Sequence, residues 1–125
     1  MCGIVGLFAK TKEFEKELGK YFSGMLNEMT DRGPDSAGCA IYHNVTKAND
    51  LKIVAMSETP LSKNKLLETI RQSYPDASVQ ELESLHFLIT LEGPSKEAIL
   101  ELHQCFPNLK ILSSGSSIEI YKAEG

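Results

Sequence analysis

Apolar and polar positions change rhythm along this chain, and the changes divide it into segments. Residues 4–9 (Ile-Val-Gly-Leu-Phe-Ala) are almost wholly apolar and rich in Ile, Val and Phe, which predicts a short buried strand. Thr11 is placed to cap a helix, and Glu13 suits its first turn. Phe14, Leu18, Tyr21, Phe22, Met25, Leu26 and Met29 then recur at helical spacing, predicting one helix with a single apolar face through about Thr30. Thr30 to Ser36 is dense in turn formers. Residues 37–43 read as a second strand, and His43 to Asp50 as a polar hairpin loop.

Over residues 51–112 the elements follow in the order strand, helix, strand, strand, helix, strand. Leu51–Met56 reads as a strand. Leu61–Tyr74 reads as a helix with Leu66, Leu67, Ile70 and Tyr74 inward. Ser78–Glu83 and His86–Leu91 read as a strand pair around Ser84-Leu85. Gly93-Pro94-Ser95 opens a second helix with Ser95 as N-cap and Ala98, Ile99, Leu102 and Phe106 on one side. Leu109–Leu112 and Ser117–Tyr121 read as strands around Ser113-Ser114-Gly115-Ser116. The βαββαβ order is the ferredoxin-like split pattern. The fold class predicted is α/β of the α+β kind, with division near residue 50 into 1–50 and 51–125.

Composition narrows the class of protein. The chain has 125 residues, of which 42% are hydrophobic, enough for one ordinary domain or two very small ones. A net charge of −4 and a pI near 5.4 argue against nucleic acid as a partner. No apolar run reaches membrane-spanning length and no signal-peptide pattern opens the chain, so the expectation is a cytoplasmic protein without a membrane partner. Cys2, Cys39 and Cys105 form no Cys-x-x-Cys pair and are odd in number, which argues against a disulfide framework. Cys39 and Cys105 read as core thiols. His43, His86 and His103 lack metal-ligand spacing and read as structural or surface residues; no metal site is expected.

Two segments carry candidate chemistry. In Met1-Cys2-Gly3-Ile4-Val5-Gly6, removal of Met1 would leave one residue bearing both a thiol and a free α-amine. Their ordinary pKa values, about 8.5 and about 7.7–8.0, let the amine take the thiol proton near neutral pH. Nucleophile and general base then share one residue. With Met1 attached, that nitrogen is a peptide amide and cannot act as a base. Position alone favours the plainer reading, a buried cysteine opening a strand. The second segment is Met29-Thr30-Asp31-Arg32-Gly33-Pro34-Asp35-Ser36-Ala37-Gly38. Gly33 can take φ > 0, Pro34 fixes its own φ, and Arg32 offers a planar fork of donors for a carboxylate or several carbonyls. Gly38 permits close backbone approach. Taken singly, this segment is a tight turn with a surface arginine.

Together, Cys-Gly-Ile-Val-Gly at the N-terminus, a helix, and Arg-Gly-Pro-Asp-Ser-Ala-Gly resemble the class II glutamine amidotransferases, N-terminal-nucleophile hydrolases that release ammonia from glutamine. The resemblance covers residues 2–42. Beyond them the chain is similar to the amidotransferase subunit of split glutamate-synthase and N-methylglutamate-synthase systems, through Met29–Gly38 and the later Gly115-Ser116-Ser117-Ile118-Glu119-Ile120-Tyr121-Lys122. It implies a partial N-terminal-nucleophile sandwich followed by the ferredoxin-like unit, with Cys2 as nucleophile. Arg32 and Gly33 would position the nucleophile segment. Pro34, Asp35, Ser36 and Gly38 would hold the turn. Glutamine is the implied substrate, a synthase or acceptor subunit the implied partner, and no cofactor is implied.

The family's glutamine-binding segment His-Thr-Arg-x-Ala-Thr and its Asn-Gly oxyanion pair are both absent from the chain. The expectation is therefore the N-terminal portion of such a domain, incomplete and inactive alone, which self-associates or needs a complementary chain. A second expectation, from a different class, is a non-catalytic regulatory or assembly module resembling the ACT type.

Overall fold

The computed structural model describes residues 3–42 and 49–124. Cys2, His43 and most of the expected 43–50 loop lie outside the described residues. Helices and antiparallel strands are both well represented, as an α+β fold requires. The described chain falls into two units: residues up to Ala37 together with the segment from Ala123, and Gly38–Lys122.

In the first unit the single helix expected after Thr11 is two. Helix α1 spans Lys12–Lys16 and α2 spans Leu18–Asn27. Thr11 caps α1 as its sequence suggests, its Oγ1 accepting from the Phe14 amide at 3.3 Å. The break falls at Glu17, whose φ of −106° and ψ of 8° leave the α region. Its amide turns to the Phe14 carbonyl at 3.2 Å, a tightened last turn, and Gly19 just beyond is a weak helix former. Phe14 and Tyr21 stack across the break, ring centroids 4.7 Å apart. The strand expected over residues 4–9 does not form. None of the six observed strands pairs with that segment, and Ile4 and Phe8 are 97% and 82% exposed. An extended segment without a ladder partner has nothing to fix it as a strand.

The second unit is built on a four-stranded sheet. Its strands are β2 (Asp50–Ser57), β3 (Ser78–Glu81), β4 (His86–Glu92) and β5 (Leu109–Gly115), in spatial order β3-β4-β2-β5. The β2/β4, β2/β5 and β3/β4 pairs are all antiparallel. With α3 (Lys63–Arg71) after β2 and α4 (Ser95–Cys105) after β4, this is the split βαββαβ arrangement. Alternation along β2 sends Leu51, Ile53 and Ala55 into the main core. There they meet Leu66 and Ile70 of α3, Ala98 and Leu102 of α4, and Phe87, Ile89 and Leu91 of β4.

Local chemistry sets the connections. The turn between β3 and β4 places Ser84 and Leu85 at φ 57° and 59°, and the His86 amide closes it on the Glu83 carbonyl at 3.3 Å. Positive φ at both central residues is the type I′ pattern, made here without glycine. Gly93 adopts φ +155°, and a Cβ there would meet Tyr74 Cε1 at 2.9 Å. Ser95 is not the cap expected of it. Pro94 holds the N-cap position, and the Ser95 hydroxyl lies 3.4 Å from that of Ser114.

The remaining strands, β1 (Ser36–Tyr42) and β6 (Ile118–Glu124), pair with each other as a separate two-stranded sheet. Gly38 allows this closely, since a Cβ on it would stand 3.0 Å from the Tyr121 carbonyl oxygen. A mostly polar set joins β6 to the four-stranded sheet. Lys52 Nζ donates to Glu119 Oε1 at 2.9 Å, and both side chains are buried. The Tyr121 hydroxyl donates to Glu119 Oε2 at 2.8 Å. The Ile120 amide donates to Ser113 Oγ at 3.0 Å. His86 Nε2 lies 3.2 Å from the Lys122 carbonyl oxygen.

Candidate functional site

The arginine-glycine segment is held by the end of helix α2. After Asn27 the chain tightens into a 3₁₀ helix over Thr30–Arg32. The Met29 amide bonds the Leu26 carbonyl and the Arg32 amide the Met29 carbonyl, each at 3.0 Å. Thr30 Oγ1 donates to the Asn27 carbonyl at 2.8 Å. This continuous turn structure fixes where Met29 and Arg32 point. Gly33 then has φ −160° and ψ 74°, an extended conformation that does not use glycine's left-handed freedom. Pro34 and Asp35 form the turn, and Ser36 is the first residue of β1. Residues Arg32 to Gly38 are all exposed.

Gly3 lies directly against this turn. A Cβ built on Gly3 would collide with the terminal methyl of Met29 and stand 3.4 Å from both Cβ and Cδ of Arg32. The residue bonded to Cys2 thus packs on two side chains of the Met29–Gly38 segment. In the sequence Met29 reads as a helix-face residue and as the first residue of the Met29–Gly38 segment, with nothing that links it to residue 3. Its spacing, three residues before Arg32, does place both on the same side of a tight helical turn.

The other cysteines differ from each other. Cys39, on β1, is half-buried, and that burial pushes its thiol pKa up, away from reactive thiolate. Cys105 is exposed, contrary to the core position expected of it. Ala98, Leu102 and Cys105 share one face of α4, but Cys105 is the helix's last residue and is exposed there. His86 is nearly buried, its Nδ1 3.0 Å from the Ser84 carbonyl oxygen; His103 is exposed. The Tyr121 phenol is pushed upward, first by burial and then by its hydrogen bond to the Glu119 carboxylate and that group's charge.

One concavity of the second unit has a volume of about 480 Å³ and is open to solvent. Asp50 and Glu92, register partners across β2 and β4, line it with Gly93, Ser95 and Ser116. Among the described residues, none from the two motif segments lines it. Among the described residues, no three or more His, Cys, Asp or Glu side chains are grouped to hold a metal. Nor is any helix long and apolar enough to cross a membrane.

Comparison with known proteins adds a second kind of observation. No protein-family model matches the chain, and no solved structure matches it. The whole chain is 34% identical, over 126 residues, to a protein of Rhizobium meliloti (strain 1021) named "Glutamine amidotransferase-like protein GlxB", covering 42% of that protein. It is 30% identical over 135 residues to a protein of Methanothermobacter thermautotrophicus named "Putative glutamine amidotransferase", covering 44% of it. The chain therefore spans less than half the length of the curated relatives it matches. Both similarities run through all of its residues, and both support a relation to the glutamine amidotransferase family.

Proposed function

We propose that this chain is the N-terminal portion of a class II glutamine amidotransferase, with Cys2 as its nucleophile. The observation that carries the reading is the packing of Gly3, next to Cys2, on Met29 and Arg32. Two segments that would have to cooperate in such a site, separated by two helices, meet in one place. The names of the two relatives support the same reading from outside the fold.

In this reading the Cys2 thiol loses its proton to its own α-amine, and the sulfur attacks the side-chain amide carbon of glutamine. The amine returns the proton to the leaving nitrogen. Ammonia departs, a γ-glutamyl thioester remains, and water releases glutamate. The tetrahedral oxyanion requires preorganised donors, which the family supplies from an Asn-Gly pair absent here. Arg32 and Gly33 position the nucleophile segment, while Pro34, Asp35, Ser36 and Gly38 hold the turn. Residues 1–50 correspond to the amidotransferase domain and 51–125 to an inserted ferredoxin-like unit. The ammonia passes to a glutamate-synthase-like partner in the cytoplasm.

The test is covalent labelling of the full-length protein with Met1 removed. The glutamine analogue 6-diazo-5-oxo-norleucine should modify Cys2 alone, and Cys2→Ala should abolish both labelling and glutaminase activity. Mass spectrometry showing modification of Cys39 or Cys105 with Cys2 untouched defeats the assignment. A second reading, a regulatory or assembly module, has one observation in its favour: the βαββαβ sheet carries its own buried core. It gains if Cys2→Ala leaves ammonia release unchanged.

A further inference from the structure

We propose that His86 is a proton-dependent clasp: as imidazolium it fastens both the β3–β4 turn and strand β6, and as neutral imidazole it lets β6 go. The clasp lies within Gly38–Lys122 and does not depend on any amidotransferase activity. The ring is nearly buried. Among the described residues, each polar atom within hydrogen-bond distance of it is a carbonyl oxygen. Nδ1 lies 3.0 Å from the Ser84 oxygen and 3.2 Å from that of Glu83, and Nε2 lies 3.2 Å from that of Lys122. A carbonyl can only accept, so both nitrogens are placed to donate. A neutral imidazole has one N–H, and only the imidazolium has two.

The two ends of the ring are unequal. Nδ1 serves two carbonyls of a turn whose Ser84 and Leu85 both sit at positive φ, a conformation unfavourable to residues with a side chain. The Ser57 amide holds the same turn through the Leu85 carbonyl at 3.0 Å. Nε2 serves a single carbonyl. A ring with one proton therefore keeps it on Nδ1, and the bare Nε2 then faces the Lys122 oxygen lone pair to lone pair. The surroundings leave this role to the imidazole. Strand β6 brings Tyr121, its ring centroid 6.1 Å away, and Lys122, whose side chain is exposed. Strand β2 brings Met56, the register partner, and the turn brings Glu83, also exposed. Glu119 is already engaged by Lys52 and Tyr121. Burial pushes the Tyr121 phenol and the Cys39 thiol of β1 upward, away from neutral pH. Imidazole is the side chain whose ordinary titration falls between about pH 5 and about pH 8. Closing the clasp takes up a proton, so β6 is held most tightly at the acid end of that range and loosens as pH rises.

The test is amide hydrogen exchange of the whole chain from about pH 5 to about pH 8, with nitrogen NMR of the His86 ring. Exchange is read as protection factors, which removes its intrinsic dependence on pH. Protection of the β6 amides around Lys122 should fall about 10-fold across the range, the equivalent of one net hydrogen bond. Amides of β2 and β4 in the core should change little. Both ring nitrogens should carry protons at the acid end, and Nδ1 alone at the other. His86→Gln keeps hydrogen-bonding groups but does not titrate, and should make β6 protection independent of pH. Flat protection factors in the parent protein overturn the proposal, as does a uniform fall across β2, β4 and β6. So does a pH dependence that survives in His86→Gln, or a lone proton found on Nε2. If His86→Gln does not fold, the ring-nitrogen spectra and the parent's protection factors decide between the same outcomes.

Discussion

The two units of this chain put their information in different places. In Gly38–Lys122 the apolar residues close on one another, and Ile53, Ala55, Leu66, Phe87 and Ile89 are fully buried. In the first unit none of the described residues is buried, and the apolar side of α2, including Phe22, Met25 and Leu26, is only half-covered. Yet the first unit holds the residues with a chemical signature. A segment can thus be specific in sequence while contributing little burial of its own, because chemistry needs particular atoms and stability needs area.

That contrast can be broken by mutation. Phe87→Ala should cost about 3–5 kcal/mol, the usual range for emptying a phenylalanine from a packed core. Phe22→Ala on α2 should cost under about 1 kcal/mol, as for positions outside a core. Chemical denaturation of both variants measures the difference, and equal losses would erase the distinction between the units. A sharper probe is the pair joining β6 to the sheet. Lys52→Met should destabilise by about 3 kcal/mol, because the buried Glu119 carboxylate loses its cation at 2.9 Å. Lys52→Met/Glu119→Gln, which keeps an acceptor for the Tyr121 hydroxyl, should be less destabilised than Lys52→Met alone. A double variant worse than the single would show that the charges themselves hold the strand. The smallest effect should be a gain. Ser84→Gly removes the cost of a left-handed residue in the β3–β4 turn and should stabilise the second unit by about 1 kcal/mol. Thermal unfolding reads it as a higher Tm, and a lower one would mean that the Ser84 side chain contributes more than its backbone conformation costs.

These expectations also mark what the sequence discloses. Leu66 and Ile70, and Ala98 and Leu102, lie at helical spacing and both pairs enter the core, because local period and burial agree there. The strand order follows, since the βαββαβ sequence of elements leaves few ways to close a sheet. The segment Ile4–Ala9 has a strand's composition and no partner, so composition misleads: a strand is a relation between two segments. The Lys52–Glu119 pair was equally hidden, because nothing local marks two oppositely charged residues 67 positions apart as partners. For the candidate site, the motif residues were legible as types. The approach of the Met29 and Arg32 side chains to Gly3 depends on the 3₁₀ turn, which no local pattern in the sequence marks.

The pairing of β1 with β6 has a consequence in time. The turn joining β3 to β4 closes over a few residues and can form early. Bringing β6 back to β1 encloses nearly all of Gly38–Lys122, and the entropy lost in closing a loop grows with its length. Until the intervening sheet has shortened the path, that closure has little to reward it. The Lys52–Glu119 contact, which also needs β2 in place, belongs to the same late event. Strand β6 is therefore the latch of the second unit, set after the sheet it fastens.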